Sequence, residues 1–131
     1  MPRPKYDQPT PGELEVLKIL WERGPSTVRE VMEVLNQDRE RAYTSVMSLL
    51  NVMVEKGLVD RKPEGRAFLY DAAIAREHTL KDLVGDMLGR AFEGSASSLV
   101  SRLLDHSKPS QDELDEIRRV IRQYERQGDK A

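Results

Sequence analysis

The sequence predicts a mainly α fold with one small β element, a single hairpin placed just past the middle of the chain. Three observations carry this. Apolar residues recur at helical spacing in six separate stretches. Two Thr-x-x-Glu capping boxes, Thr10 to Glu13 and Thr27 to Glu30, mark helix starts. Between Leu58 and Tyr70 alone the period changes, with two short strand-like pieces around a Pro- and Gly-containing turn.

The first helix starts at Thr10-Pro11-Gly12-Glu13, with Pro11 suited to the first helical position. Leu14, Leu17, Leu20 and Trp21 form its apolar stripe, and Gly24-Pro25 ends it. A second, short helix carries Val28, Val31, Met32 and Leu35 and stops near Asn36. The loop Gln37 to Glu40 leads to a third helix, predicted from about Arg41 to Lys56 and closed by Gly57. Leu58–Arg61 and Ala67–Tyr70 are the strand-like pieces, and Lys62–Arg66 between them has turn chemistry.

Beyond Asp71 the pattern is helical again. Leu80, Leu83, Val84, Met87, Leu88, Ala91 and Phe92 step by three and four, a seam of coiled-coil type. Gly94-Ser95 breaks it. Leu99, Val100, Leu103 and Leu104 make a second stripe, and Ser110 to Glu113 opens a last helix with Leu114, Ile117, Ile121 and Tyr124. The expected division is 1–72 and 73–131. The second part has 59 residues, too few to bury the surface an independent monomer needs. Its seams therefore call for a second chain, with Leu80, Leu83, Val84, Met87, Leu88, Phe92, Leu99, Leu103, Ile117 and Ile121 as the contact set.

Composition narrows the function. The chain is 38% hydrophobic and 34% charged, with no Cys, which excludes disulfides and thiolate metal sites. The N-terminal MPRPKYDQ lacks the apolar stretch of a signal peptide. The longest charge-free run, Ala42 to Val54, is too short and polar to span a bilayer. A cytoplasmic protein without a membrane partner is the expectation. His78 and His106 are the only histidines and no His-Glu-x-x-His pattern occurs. The acidic run Asp112-Glu113 with Asp115-Glu116 is a dipole-favoured first helical turn. No enzyme, cofactor or metal site is indicated.

The third helix is the informative element. At about 100° per residue, Ala42, Val46, Leu49, Leu50 and Met53 fall on one side as the core face. Arg41, Thr44, Ser45, Ser48, Asn51 and, in the last turn, Glu55 fall on the other, with Val52 among them. A solvated face usually carries Glu, Lys or Gln, which favour helix. Short hydroxyls and an amide suit close approach to a polar partner. In a DNA major groove, Arg grips guanine O6 and N7, Ser, Thr and Asn reach base edges, and Val meets a thymine methyl. Groove contact and an idle polar face both satisfy this chemistry. The net charge is −2 and is evenly divided, whereas Arg39 to Tyr70 is locally +2, so a DNA reading rests on that local patch. The elements alongside favour it. A helix-turn-helix followed by a hairpin bearing Arg61, Lys62 and Arg66 is a winged helix, whose third helix enters the groove while the hairpin meets flanking phosphates or the minor groove. Arg41 is the expected guanine reader and Ser48 or Asn51 the second reader. Tyr43 goes to packing or one phosphate, and Thr27 and Arg29 join the DNA-facing set. Arg3 and Lys5 belong to an N-terminus that reads as disordered, with a phosphate-brushing arm as the other use.

The order Glu13-Leu14-Glu15-Val16-Leu17…Leu20-Trp21, then Thr27-Val28-Arg29-Glu30-Val31, Ala42-Tyr43-Thr44-Ser45-Val46-Met47, Glu55-Lys56-Gly57-Leu58-Val59 and Gly65-Arg66-Ala67…Tyr70 resembles the penicillinase-repressor (BlaI/MecI/CopY) family. The resemblance is strong over residues 10–71 and looser beyond. It implies a homodimeric winged-helix repressor on a pseudo-palindromic double-stranded DNA operator, controlling a β-lactam-resistance or related stress operon. It also implies a regulatory protease or sensor as a partner. Two features depart from the family. The copper-responsive branch carries a C-terminal Cys cluster, absent here. Arg102-Leu103 stands where the family's Asn-Phe cleavage bond falls, so that site is not carried over. The alternatives are a winged-helix protein-interaction module, whose reading surface would be apolar, and a ligand-responsive winged-helix repressor of another family, which needs an apolar cavity.

Overall fold

The computed structural model describes residues 8–129, so Arg3 and Lys5 lie outside the described residues. The element order is α1 (Pro11–Arg23), α2 (Val28–Leu35), α3 (Tyr43–Lys56), β1 (Val59–Glu64), β2 (Ala67–Ala72), α4 (Arg76–Phe92), α5 (Ala96–Ser107) and α6 (Gln111–Asp129). The mainly helical class with one hairpin follows the sequence reading.

Both capping boxes form. The Thr10 and Thr27 hydroxyls accept from the Glu13 and Glu30 amides, and those carboxylates accept from the Thr10 and Thr27 N–H groups. The hydrogen bond from the Thr27 backbone, followed by that from its side chain, holds the Glu30 carboxyl below the usual carboxylate range. Its contribution to α2 is thus present at neutral pH and is lost only as pH falls through that lowered value. α3 ends at Gly57, whose φ of 80° is left-handed and needs glycine.

The core of the first compact unit, which runs to Gly85, joins Val16, Leu17 and Leu20 of α1 to Val31 and Leu35 of α2. Val46, Leu50 and Met53 of α3 complete it with Leu58, Val59 and Tyr70. β1 and β2 pair antiparallel, with Arg61 opposite Tyr70 and Pro63 opposite Phe68. The loop is two residues, Gly65-Arg66, tighter than the five-residue turn expected, with Gly65 at φ 60° as primed hairpin loops require. Pro63 sits in the strand because its position points the missing N–H away from β2. The hairpin base is anchored further. Ser26 and Tyr70 exchange two backbone hydrogen bonds, of 2.9 and 2.8 Å, across the loop between α1 and α2.

The first unit reaches past the boundary expected at residue 72, where Trp21 of α1 and Gln8 hold the lead into α4 and its first turns. The Trp21 indole N–H donates to the Ile74 carbonyl at 2.9 Å, and the Gln8 amide donates to Asp82 O. The second unit, from Asp86 on, comprises the end of α4, α5 and α6. None of the described side chains of this unit is buried. Met87, Leu103 and Ile121 are exposed, as is Val84 just before it. Leu88, Phe92, Leu99 and Ile117 are half-buried, as are Leu80 and Leu83 in the first unit.

Candidate nucleic-acid interface

α3 packs inward through Val46, Leu50 and Met53 and turns Thr44, Ser48 and Val52 to solvent, with Asn51 half-buried beside them. Ser45 is exposed on one flank of this face. Tyr43 and Met47 are exposed on the other. The Arg29 guanidinium, near the start of α2, lies 6.0 Å from the Tyr43 ring centroid, within reach of cation–π attraction. Thr27 spends its hydroxyl lone pairs partly on the α2 cap.

Arg41 departs from its expected position. α3 begins at Tyr43, with Ala42 as an exposed N-cap rather than a core residue, so Arg41 precedes the helix. The Asn36 side chain forces this start: its Oδ1 accepts from the Arg41 N–H and its Nδ2 donates to the Arg41 carbonyl. The guanidinium then folds back. It donates to Leu35 O at 2.6 Å, to Arg39 O at 3.0 Å and to Glu15 Oε2 at 2.9 Å, and the side chain is only 13% exposed. With both terminal nitrogens engaged, Arg41 ties the α2–α3 turn to α1. Arg41→Ala is expected to lower stability by about 2 kcal/mol, the scale of hydrogen bonds to a charged group. The ratio of operator to scrambled-DNA binding should stay at the wild-type value. A relaxed ratio would return Arg41 to base reading.

The hairpin presents Arg61, Lys62 and Arg66, all exposed. They are not equivalent. Strand alternation puts Lys62 on the face of Leu69, and Arg66 occupies the loop. Arg61 shares the face of Tyr70 and Phe68, and its guanidinium lies 4.6 Å from the Phe68 ring centroid. The same group donates to Asn51 Oδ1 at 3.1 Å, joining hairpin to α3. Sequence reasoning grouped the three cations together and missed this bridge. The register, which sets Arg61 opposite buried Tyr70, is what separates Arg61 from Lys62. It also missed the pairing of Lys56 Nζ with Glu13 Oε2 at 2.8 Å, which joins the end of α3 to the start of α1.

A cleft of 540 Å³ beside the start of α3 is lined by Gly12, Glu15, Leu35, Arg39, Arg41 and Ser45 among others. Its wall mixes these charged groups with Leu35, Ala42, Val46 and Leu49, whereas the cavity of a ligand-responsive repressor is predominantly apolar. Among the described residues no helix is long and apolar enough to cross a membrane.

The penicillinase repressor family model matches residues 9–123. The transcriptional regulator BlaI of Mycobacterium tuberculosis is 35% identical over 117 residues, covering 87% of this chain and 84% of that protein. The penicillinase repressor of Bacillus licheniformis is 24% identical over 120 residues, covering 92% and 94%. The solution structure of the DNA-binding domain of the repressor BlaI superposes with a TM-score of 0.50 at 28% identity, over 55% of this chain and 88% of that one. That domain supports the winged-helix assignment of the first unit. With a family match across most of its length, the chain belongs to the penicillinase repressor family.

Proposed function

We propose that this protein is a cytoplasmic transcriptional repressor that binds a pseudo-palindromic operator as a homodimer, the operator controlling a β-lactam-resistance or related stress operon. The observation that carries the reading is the outer face of α3, where exposed Thr44 and Ser48 and half-buried Asn51 stand beside a hairpin bearing three cations. α3 is short-chained enough to enter a major groove. Arg29 and Tyr43 at one end, and Lys62 and Arg66 on the hairpin, suit flanking phosphates. The family's members are repressors, so catalysis has no place in the reading. Dimerisation is supported by the second unit, whose apolar side chains are at most half-buried within one chain. Two winged helices joined there would read half-sites one helical turn or a multiple apart, about 10 bp per turn. A regulatory protease acting on the dimer would meet Arg102 and Leu103 exposed within α5, not an Asn-Phe bond.

Gel shift against the DNA upstream of the protein's own gene tests the reading, with a scrambled fragment as competitor. Retention of the upstream fragment alone supports it, and equal or absent retention of both rejects it. In the same assay Arg66→Ala should weaken binding to all sequences alike and reduce the slope of log K against log salt by about 1 per half-site. An unchanged slope removes Arg66 from the phosphate contacts.

A further inference from the structure

We propose that Arg61 is a positioning residue that holds the Asn51 amide as a hydrogen-bond donor toward DNA, and thereby sets one base-pair preference in each half-site. The proposal rests on the DNA-binding reading above and names how one of its base contacts is specified.

Asn51 lies on the outer face of α3, three residues after Ser48 and seven after Thr44, so it shares their stripe. An unconstrained Asn in a major groove pairs with adenine through two bonds at once, accepting from N6 and donating to N7. Here one of the two lone pairs of the amide oxygen is taken, and the oxygen is turned toward the hairpin. Asn51 Oδ1 takes a hydrogen bond from Arg61 Nη1 at 3.1 Å. Since the amide is planar, fixing Oδ1 against the hairpin turns Nδ2 and its two hydrogens the other way. The remaining chemistry favours a base edge that only accepts: guanine N7 and O6, or thymine O4.

Arg61 can hold this orientation because it is itself held. The β1–β2 register places it opposite Tyr70, on the face that also carries Phe68. The guanidinium carbon sits over the Phe68 ring, 4.6 Å from its centroid, within the range of cation–π attraction. Lys has no planar fork and so cannot hold an amide in one orientation in the same way. A phosphate-contacting arginine would act differently. It would supply charge, strengthen binding to every sequence, and steepen the salt dependence.

The full-length protein is titrated with its upstream operator and with a panel in which each half-site base pair is changed in turn, at several salt concentrations. Asn51→Ala, Arg61→Lys and Phe68→Ala are compared with wild type. Asn51→Ala identifies the position Asn51 reads, where the wild-type preference should be roughly tenfold, within the range for one good base contact. The expected base there is guanine or thymine on the contacted strand. Arg61→Lys keeps its charge, so the salt slope should hold while the preference at that one position collapses and the other positions stay unchanged. Phe68→Ala, uncharged and at an exposed position, should erode the same position. The inference is overturned if Arg61→Lys leaves that preference intact, if the position selects adenine, or if Asn51→Ala alters no preference. A wild-type protein that fails to select its operator sinks the DNA reading instead, so the two failures are distinct.

Discussion

A chain with both Leu83 and Met87 replaced by Asp is expected to sediment as a monomer and to bind its operator 10²–10⁴-fold more weakly than wild type, the order of magnitude lost when two linked contacts become one. Both residues lie on α4, four apart and hence on one face. Met87 is 51% exposed and Val84 beside them 56%, while Leu83 is half-buried, so the stripe is only partly covered in a single chain. No base-contacting residue changes. Binding to a single half-site should therefore keep its sequence preference, and only the gain from the second half-site should vanish. Far-ultraviolet circular dichroism confirms that the helices persist. A double variant that stays dimeric, or a monomer with full operator affinity, would reject dimerisation through α4 as the source of tight binding.

The second large effect concerns the join between the start of α1 and the end of α3. Glu13 is only 2% exposed, and its carboxylate accepts from the Thr10 N–H and pairs with Lys56, whose side chain is 35% exposed. The two partners are unequal. Removing Lys56 strands a buried charge, whereas removing the Glu13 charge leaves a lysine that can reach water. Lys56→Met should therefore destabilise the fold by about 3 kcal/mol, the lower end of the cost of breaking a buried pair. Glu13→Gln, which keeps an acceptor for Thr10, should cost about 1 kcal/mol. Combining them should recover part of the Lys56→Met loss, since a neutral Gln needs no counter-charge. Urea midpoints at constant m-value measure all three. Equal losses in the two single variants would show that burial of the carboxylate is not what makes the pair matter.

The parts of the structure legible in the sequence are those written in neighbouring residues. Thr10 with Glu13 and Thr27 with Glu30 cap their helices through bonds spanning three residues, so the pattern alone suffices. Gly57 similarly marks the end of α3. The start of α3 was illegible because a tertiary exchange decides it. Asn36 binds both backbone groups of Arg41, and Glu15, 26 residues away in sequence, draws the guanidinium off the helix face. Helical periodicity carried back from Val46 to Arg41 has no means of registering that competition. The hairpin was legible in place but not in length. Pro63 and Gly65 both read as turn formers, yet Pro63 fits the strand through its unpaired direction. Within the candidate interface, the residue types of α3 were readable, while the bridge from Arg61 to Asn51 depended on strand register.

The backbone bonds between Ser26 and Tyr70 fix where the hairpin is fastened, and so which part of it is free to change through evolution. Tyr70 is buried and doubly bonded, while residues 61–68 are exposed. The hairpin is a lever clamped at its root. From Tyr70 to Arg66 in the loop is four residues, about 14 Å at roughly 3.4 Å each. Adding or deleting a facing pair at Gly65-Arg66 would change the lever's reach by about 3.4 Å and leave the clamp and the core beneath it undisturbed. On the proposed binding mode, descendants of this chain can thus explore different flanking DNA by trimming a loop, at little cost to the stability of the domain that carries it.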